Sequence, residues 1–248
     1  MRREIVEMTP YVPIKPFHVM SAELGISVEQ IVKLDANENP YGASPKALTT
    51  LSNIADEIPI YPDPGSDDLR EKLAEKLGVN SDQVMVGAGA DELIELLFKL
   101  FITPGDAVIN CPPTFGMYTF FAAIFGAKEI VIERDENFRV DVDAIEQAVI
   151  DHNAKIVLLC APNNPDGGTI APDTLQRLLN LNAIIVLDEA YVSFAKPNLE
   201  GEFGDSNHAR LVSQYPNLVI LRTFSKWAGL AGLRCGYGVF APEIVRYL

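Results

Sequence analysis

Seven short runs of apolar residues recur along the chain, and their spacing limits its fold more than any other feature. Most are apolar at nearly every position, as strands covered on both faces must be, and the segments between them can hold crossover helices. They lie at residues 84–87, 107–110, 129–133, 155–160, 183–188, 218–223 and 235–240. The pattern predicts a three-layer α/β/α fold around a seven-stranded, mostly parallel sheet.

The segment between the last two runs is too short and too rich in glycine for a full crossover helix. We therefore expect the seventh strand to run antiparallel to its neighbours. Two helices can be placed from sequence. One is predicted to begin after Ser66, a candidate N-cap, and to end at Gly78, and the other runs from about Ala90 to Leu100.

The overall charge bounds the partners of the chain. A formal net charge of −14 argues against non-specific binding to nucleic acid or anionic membranes, because both need a basic face. No apolar run approaches the ~18 residues of a membrane-spanning helix, and the N-terminal segment holds no signal-peptide core. We expect small-molecule partners, no nucleic acid, no membrane and a cytoplasmic location.

The cysteines and histidines predict no metal site. Three cysteines are odd in number and far apart, so neither a disulfide framework nor a metal-binding pair is offered, and buried free thiols are expected. The histidines are equally scattered. These residues are Cys111, Cys160, Cys235, His18, His152 and His208.

Polar residues follow several of the predicted strands, at the edge where open α/β sheets bind their ligands. An aspartate that closes an apolar run should be partly desolvated and needs a cationic or protonated partner. The fourth, fifth and sixth strands are followed or closed by Asn164, Asp188, Tyr191, Thr223, Ser225 and Lys226.

The turn at residues 87–92 joins the first strand to a predicted helix whose free N–H groups suit a phosphate. It lacks both common phosphate motifs. A dinucleotide fingerprint needs glycine where Glu92 stands, and a P-loop needs a following Gly-Lys-Ser/Thr. A tight strand-to-helix turn in which Asp91 complements the helix dipole explains the sequence equally well.

Lys226 and Arg234 stand in a run that is otherwise small, apolar or hydroxylated. They could snorkel from a surface segment. Alternatively, a buried lysine loses water, which disfavours its charged form and makes the amine a nucleophile. The neighbouring groups favour the second interpretation: Ser225 and Arg234 suit a phosphate, Asp188 a protonated ring nitrogen, and Lys226 an aldehyde. Pyridoxal 5'-phosphate carries all three groups.

Seven motifs strengthen this hypothesis, because they stand in the order and approximate spacing of one family. The chain resembles the fold-type I, class II pyridoxal-phosphate aminotransferases, and within them the histidinol-phosphate aminotransferases. The motifs are LDANENPYG (34–42), YPDPGSDDLR (61–70), GAGADELIELL (87–97), PPTFGMY (112–118), APNNPDGG (161–168), LDEAY (187–191) and TFSKWAGLAGLRCG (223–236).

The resemblance implies roles for individual residues. Lys226 corresponds to the lysine that forms the Schiff base with the cofactor and later moves the substrate proton. Asp188 corresponds to the partner of the ring nitrogen, and Asn164 and Tyr191 to partners of the ring 3-oxygen. The phosphate cup corresponds to Ser225, Arg234, Thr223 and the backbone of Ala90 and Asp91.

Two aromatic residues have roles by the same resemblance. Phe115 takes the position that stacks on the cofactor ring, where relatives often have tyrosine. Tyr61 resembles the tyrosine that reaches the phosphate of the neighbouring subunit, which implies a homodimer. Core packing is the alternative for both.

The prolines of the N-terminal segment and the resemblance together predict the domain organisation. Residues 1–45, rich in proline, are expected to form an extended arm, and residues 46–240 the cofactor-binding large domain. Residues 241–248 are expected to begin a helix leading to a small C-terminal domain, which carries the arginine for the substrate carboxylate or its equivalent. No residue of this sequence can be assigned the role of that arginine. The arm around Tyr11, Asn37 and Asn39 is therefore the first candidate for substrate contacts.

The implied activity is transfer of an amino group from a small-molecule donor, histidinol phosphate, to a 2-oxo acid acceptor, 2-oxoglutarate, with reduced activity if the chain is truncated. An aromatic aminotransferase or a threonine-phosphate decarboxylase would use the same cofactor residues. A non-catalytic pyridoxal-phosphate-binding module stays open. A nicotinamide-dependent oxidoreductase is opposed by Glu92.

Overall fold

A single mixed sheet organises the chain. The computed structural model describes residues 5, 6, 8, 13–195 and 207–248. Within them the strands lie in the order β1-β7-β6-β5-β4-β2-β3. Their bounds are β1 Val84–Gly87, β2 Ala107–Asn110, β3 Lys128–Val131, β4 Ile156–Cys160, β5 Ile184–Asp188, β6 Leu218–Thr223 and β7 Gly236–Val239.

The strand directions confirm the prediction of a mostly parallel sheet. Strands β3, β2, β4, β5 and β6 pair in parallel, and β7 is antiparallel to both β6 and β1. The edge strand β3 ends at Val131, earlier than the sequence pattern predicts, although the Ile132 N–H still donates to the Asn110 carbonyl at 3.0 Å. The carboxyl ends of β4, β5 and β6 therefore meet at one edge.

Helices cover both faces of the sheet, so the predicted three layers are confirmed. One face packs against α3, α6 and α7, and the other against α4, α5 and α8. The helices that lie wholly within the described residues are α1 Phe17–Leu24, α2 Pro45–Ser52, α3 Asp67–Leu77, α4 Ala90–Phe101, α5 Met117–Phe125, α6 Val142–His152, α7 Pro172–Leu179 and α8 Pro242–Val245. Among the described residues, no helix is long and apolar enough to cross a membrane.

Helix α3 begins and ends where the sequence predicts, but the predicted cap is wrong. Ser66 has a left-handed backbone (φ 49), whereas an N-cap residue is normally extended, and its side chain caps none of the described N–H groups. The Asp63 carboxylate instead accepts from the N–H groups of Gly65 (3.0 Å) and Asp67 (2.7 Å). Gly78 ends the helix in the left-handed region (φ 68).

The N-terminal arm is not extended throughout. Helix α1 follows Pro16, whose ring is tolerated at a helix start because the N–H groups there have no intrahelical partner. Gly25 ends this helix with a left-handed φ of 67. All eight residues of α1 are exposed or half-buried, so the helix lies on the surface of the domain.

Candidate active site

A cavity lies at the carboxyl ends of β4, β5 and β6, between these strands and the start of α4. It brings together most of the residues that the sequence nominates for a cofactor. The predicted residues in its lining are Ala90, Asp91, Phe115, Asp188, Tyr191, Thr223, Ser225, Lys226 and Arg234.

Asp188 closes β5 and is buried at 3% exposure. Its carboxylate accepts hydrogen bonds from the Tyr118 hydroxyl (2.8 Å) and from the Ala190 N–H (3.0 Å). Burial raises the pKa of Asp188 to about 6, because the ionised form loses water, and the two hydrogen bonds oppose that rise. With a pKa of about 6 the carboxylate is mostly ionised at neutral pH, and it suits a protonated partner.

Lys226 follows β6 and is half-buried. Its Nζ donates to the Ala36 carbonyl at 3.0 Å and lies 5.7 Å from the centre of the Tyr191 ring. Burial lowers the pKa of Lys226, with the carboxylates of Asp91 and Glu38 opposing. Lys226 thus lines the cavity, and its amine loses its proton more readily than a lysine in water does, which gives the neutral, nucleophilic form.

The start of α4 forms one end of the cavity. The first turn carries free N–H groups, and the Asp91 carboxylate pairs with Arg234 Nη2 at 3.0 Å. Arg234 has a left-handed backbone (φ 48), which costs on the order of 1–3 kcal/mol for a residue other than glycine. Strain of this kind concentrates at functional sites. Asp91 fits both of its predicted readings, as a dipole partner and as part of an anion cup.

Two glycines allow the chain segments of this cup to approach each other. A Cβ on Gly89 (φ 84) would lie 2.7 Å from Arg234 Nη2. A Cβ on Gly236, at the start of β7, would lie 2.5 Å from the Gly89 carbonyl carbon and 2.6 Å from Ala90 N. Side chains at either position would push the arginine or the helix start aside.

Hydroxyl groups complete the cup beside β6. The Thr223 and Ser225 hydroxyl oxygens are 2.9 Å apart, and the Ser225 N–H donates to Thr223 Oγ1 at 3.1 Å. Both residues are buried. The fixed turn holds Ser225 and Lys226 at successive positions, so a hydroxyl and an amine face the same cavity.

A second cavity adjoins the first, and Tyr191 lines both. Asn164 and Asn37 line this second cavity, where Asn37 Nδ2 donates to the Tyr191 hydroxyl at 3.0 Å. Burial raises the pKa of Tyr191, while the Asn37 hydrogen bond opposes that rise. Asn39 Nδ2 donates to the Trp227 carbonyl at 2.8 Å. The arm is thereby tied to the site.

The remaining predicted residues divide by position. Phe115 forms a half-buried wall of the cavity. Tyr61 does not line the cavity, and its side chain is 98% exposed. The core-packing alternative is therefore wrong for Tyr61 within this chain. Tyr11 lies outside the described residues.

Cys111 and Cys160 are buried, Cys235 is half-buried, and all three are free. Burial raises the pKa of both Cys111 and Cys160 to about 12, so their thiols stay protonated. In the described part of the chain, no group of three or more His, Cys, Asp or Glu residues could hold a metal ion.

Sequence reasoning missed four neighbours of the site: Tyr118, Cys160, Ala190 and Ala36. Tyr118 closes the PPTFGMY motif (112–118), and that position is the signal that could have found it. The Ala36 carbonyl carried no signal, because any residue could supply it.

The fold, with a lysine and a buried aspartate lining one cavity at the strand ends, defines the class of open α/β domains that bind ligands at the carboxyl ends of their strands. The sequence pattern described as aminotransferase class I and II matches residues 29–248. The chain belongs to this family.

Individual relatives are more specific. The chain is 45% identical over 252 residues to histidinol-phosphate aminotransferase of Roseiflexus castenholzii, covering 100% of this chain and 66% of that protein. It is 46% identical over 249 residues to histidinol-phosphate aminotransferase 1, chloroplastic, of Arabidopsis thaliana, and this match covers 100% of this chain and 57% of that protein. The chain thus spans less than two thirds of the length of these relatives.

A solved structure shares the fold. The crystal structure of histidinol-phosphate aminotransferase from Sinorhizobium meliloti, in complex with pyridoxal-5'-phosphate, superposes with a TM-score of 0.84 at 24% identity. The likeness covers 99% of this chain and 64% of that one.

Proposed function

We propose that the protein is a pyridoxal-phosphate-dependent aminotransferase that moves an amino group from a small-molecule donor to a 2-oxo acid. One observation carries the proposal. A single cavity holds the Lys226 amine and the buried Asp188 carboxylate, with Ser225 and Arg234 also in its lining. Family membership and relatives at 45–46% identity support the same reaction.

The residues present fit the cofactor. Its phosphate would take the N–H groups at the start of α4, the Ser225 hydroxyl and the Arg234 guanidinium, a combination suited to a dianion. Its ring nitrogen would face Asp188, whose burial favours a protonated partner. Phe115 would cover one ring face.

When bound, pyridoxal phosphate supplies an electron sink that makes a bond at the substrate α-carbon labile. The chain's own residues supply the rest. Lys226 would hold the cofactor aldehyde through Nζ and, once released, move a proton at the substrate α-carbon, helped by its lowered pKa. Asp188 would keep the ring nitrogen protonated, and Tyr191 and Asn164 would hold the 3-oxygen.

The proposed substrates are histidinol phosphate as donor and 2-oxoglutarate as acceptor. The names of the two curated relatives support the donor. Offering histidinol phosphate, aromatic amino acids and threonine phosphate in turn separates this choice from its alternatives. Turnover of an aromatic donor alone, or loss of carbon dioxide from threonine phosphate, would contradict it. The cytoplasmic location stays a prediction.

The direct test of the site is chemical labelling. After loading with pyridoxal phosphate, borohydride reduction should fix the cofactor to Lys226, because that amine lines the cavity. Peptide mapping by mass spectrometry locates the label. A label on another lysine, or none, would reject the assignment.

We also propose that the protein works as a homodimer in which Tyr61 serves the partner's phosphate cup. Tyr61 is 98% exposed, and Ile58 (74%) and Ile60 (70%) expose apolar surface beside it. A second copy would cover this surface. Sedimentation should give about twice 27.2 kDa.

Tyr61→Phe should weaken pyridoxal-phosphate binding by about 10- to 100-fold, as expected for a lost hydrogen bond to a charged group. Tyr41→Phe is the matched control, since Tyr41 is 95% exposed. Mixing Tyr61→Phe with Lys226→Ala subunits should restore one intact site per mixed dimer. Tight binding by a monomer, or no restoration on mixing, would contradict the shared site.

A further inference from the structure

We propose that Tyr118 is a positioning residue of this site: its hydroxyl fixes the orientation and ionisation of Asp188, while its ring braces Phe115. The inference rests on the proposed function, because it concerns how the chain prepares Asp188 for a cofactor ring nitrogen.

The first support is the geometry around the carboxylate. Tyr118 lies in α5 at 0% exposure, and its hydroxyl donates to Asp188 Oδ2 at 2.8 Å. The other oxygen, Oδ1, accepts from the Ala190 N–H at 3.0 Å. One donor on each oxygen fixes the plane of the carboxylate, and each oxygen keeps a lone pair for a further partner.

The second support is the cost of the hydroxyl itself. Packing at this position needs only a ring, since Tyr118 belongs to an apolar cluster with Phe121 and Leu93. Burying a phenol hydroxyl without a partner is unfavourable, so phenylalanine would be the better residue for the core alone. The hydroxyl is useful here because Asp188 is present.

The third support links the carboxylate to the wall of the cavity. The rings of Phe115 and Tyr118 meet edge to face, with centres 5.6 Å apart and planes at 88°. One side chain therefore contacts both the residue that would stack on the cofactor ring and the residue that would face its nitrogen. Tyr118 therefore helps to fix the distance between Phe115 and the Asp188 carboxylate.

The charge environment makes the hydroxyl effective. Burial raises the pKa of Asp188 to about 6, and the Tyr118 hydrogen bond is the first of the contacts that oppose the rise. Without that donor the carboxylate would protonate at a higher pH. The titratable groups interacting with Asp188 are Tyr118, Cys160, Asp91, Glu189, Tyr191 and Lys226.

The test uses the cofactor-free chain. In Tyr118→Phe, the pKa of Asp188 should rise by about 1 from its value of about 6, as expected for a lost hydrogen bond to a charged group. Carbon-13 NMR titration of the aspartate carboxyl groups measures it, with Asp188→Asn assigning the signal. Tyr215→Phe is the matched control, because the Tyr215 hydroxyl accepts from Gln176 at 2.8 Å instead.

A second measurement concerns the cofactor. Tyr118→Phe should bind pyridoxal phosphate about tenfold more weakly than the parent chain, whereas Tyr215→Phe should bind it equally well. If Tyr118→Phe does not fold, a ring-fluorinated tyrosine at this position keeps the shape and donates more strongly. The pKa of Asp188 should then fall below about 6.

An unchanged Asp188 pKa in either folded variant overturns the role of Tyr118. Failure of the parent chain to bind pyridoxal phosphate would instead reject the proposed function. The carboxyl titration needs no cofactor, so the two failures are distinguishable.

Discussion

Replacing Lys226 with alanine is expected to reduce amino transfer by at least about 10²- to 10⁴-fold, the usual contribution of a positioned proton-transfer group. The loss should be larger if the amine also holds the cofactor, because no other described lysine lines the cavity. Turnover and retention of pyridoxal phosphate through gel filtration measure the two effects separately.

Lys155→Ala is the matched control for this variant. Lys155 is also half-buried, but it precedes β4 at the opposite edge of the sheet. We expect it to retain cofactor and activity. A Lys226→Ala chain that keeps the cofactor and its turnover would show that another amine performs the chemistry.

Asp188→Asn should have the second largest effect on function. Under the proposed function, in which the Asp188 charge would hold the cofactor ring nitrogen protonated, its removal should slow proton transfer at the substrate α-carbon by roughly 10²- to 10³-fold, comparable to the loss of one preorganised electrostatic contact. Exchange of the α-hydrogen with deuterated water measures that step. Unchanged exchange would contradict the role of Asp188, and Asp106→Asn, at an exposed carboxylate, is the control.

Asp188→Asn should reduce function but raise the free energy of unfolding of the cofactor-free chain at neutral pH. Asp188 has a folded pKa of about 6, raised from 3.8, so its protonation favours the folded state. That contribution is complete below pH 3.8 and is lost as the pH rises to about 6. Over this window the cofactor-free parent should lose about 3 kcal/mol relative to Asp188→Asn.

Urea unfolding at pH 5 and pH 7 checks the sign. The free energy of unfolding of the parent should fall by about 1 kcal/mol relative to the variant between these conditions. A constant difference would mean that Asp188 is not desolvated. Wild-type Asp188 is thus a residue that stability alone disfavours at neutral pH.

Much of this architecture could be predicted from sequence, because the apolar runs have a direct physical cause. Strands covered on both faces must be apolar throughout, and the residues that follow them must meet at one edge. Lys226 and Asp188 therefore came together in the prediction and in the structure. The short, glycine-rich link before β7 likewise predicted its antiparallel direction.

The features that could not be predicted depend on tertiary contacts. Tyr118 contacts Asp188 across 70 residues of chain, and nothing local to residue 118 encodes that contact. Asn37 contacts Tyr191 across 154 residues of chain. Ser66 had the right residue type for a cap, but the Asp63 carboxylate accepts from the N–H group of Asp67 instead.

The position of β7 has a consequence for how the protein is made. Val84 of β1 pairs with Val239, so the strand that precedes the turn at residues 87–92 is paired only when a segment about 150 residues later has been synthesised. Pairing over such a distance is slow, because the intervening chain must be closed into a loop first. On the ribosome, β2 to β6 can assemble while β1 remains an unpaired edge. The region formed by the turn after β1 and the segment before β7 is therefore completed only after β2 to β6 have paired. Binding of the proposed cofactor would then report a late step in assembly of this sheet.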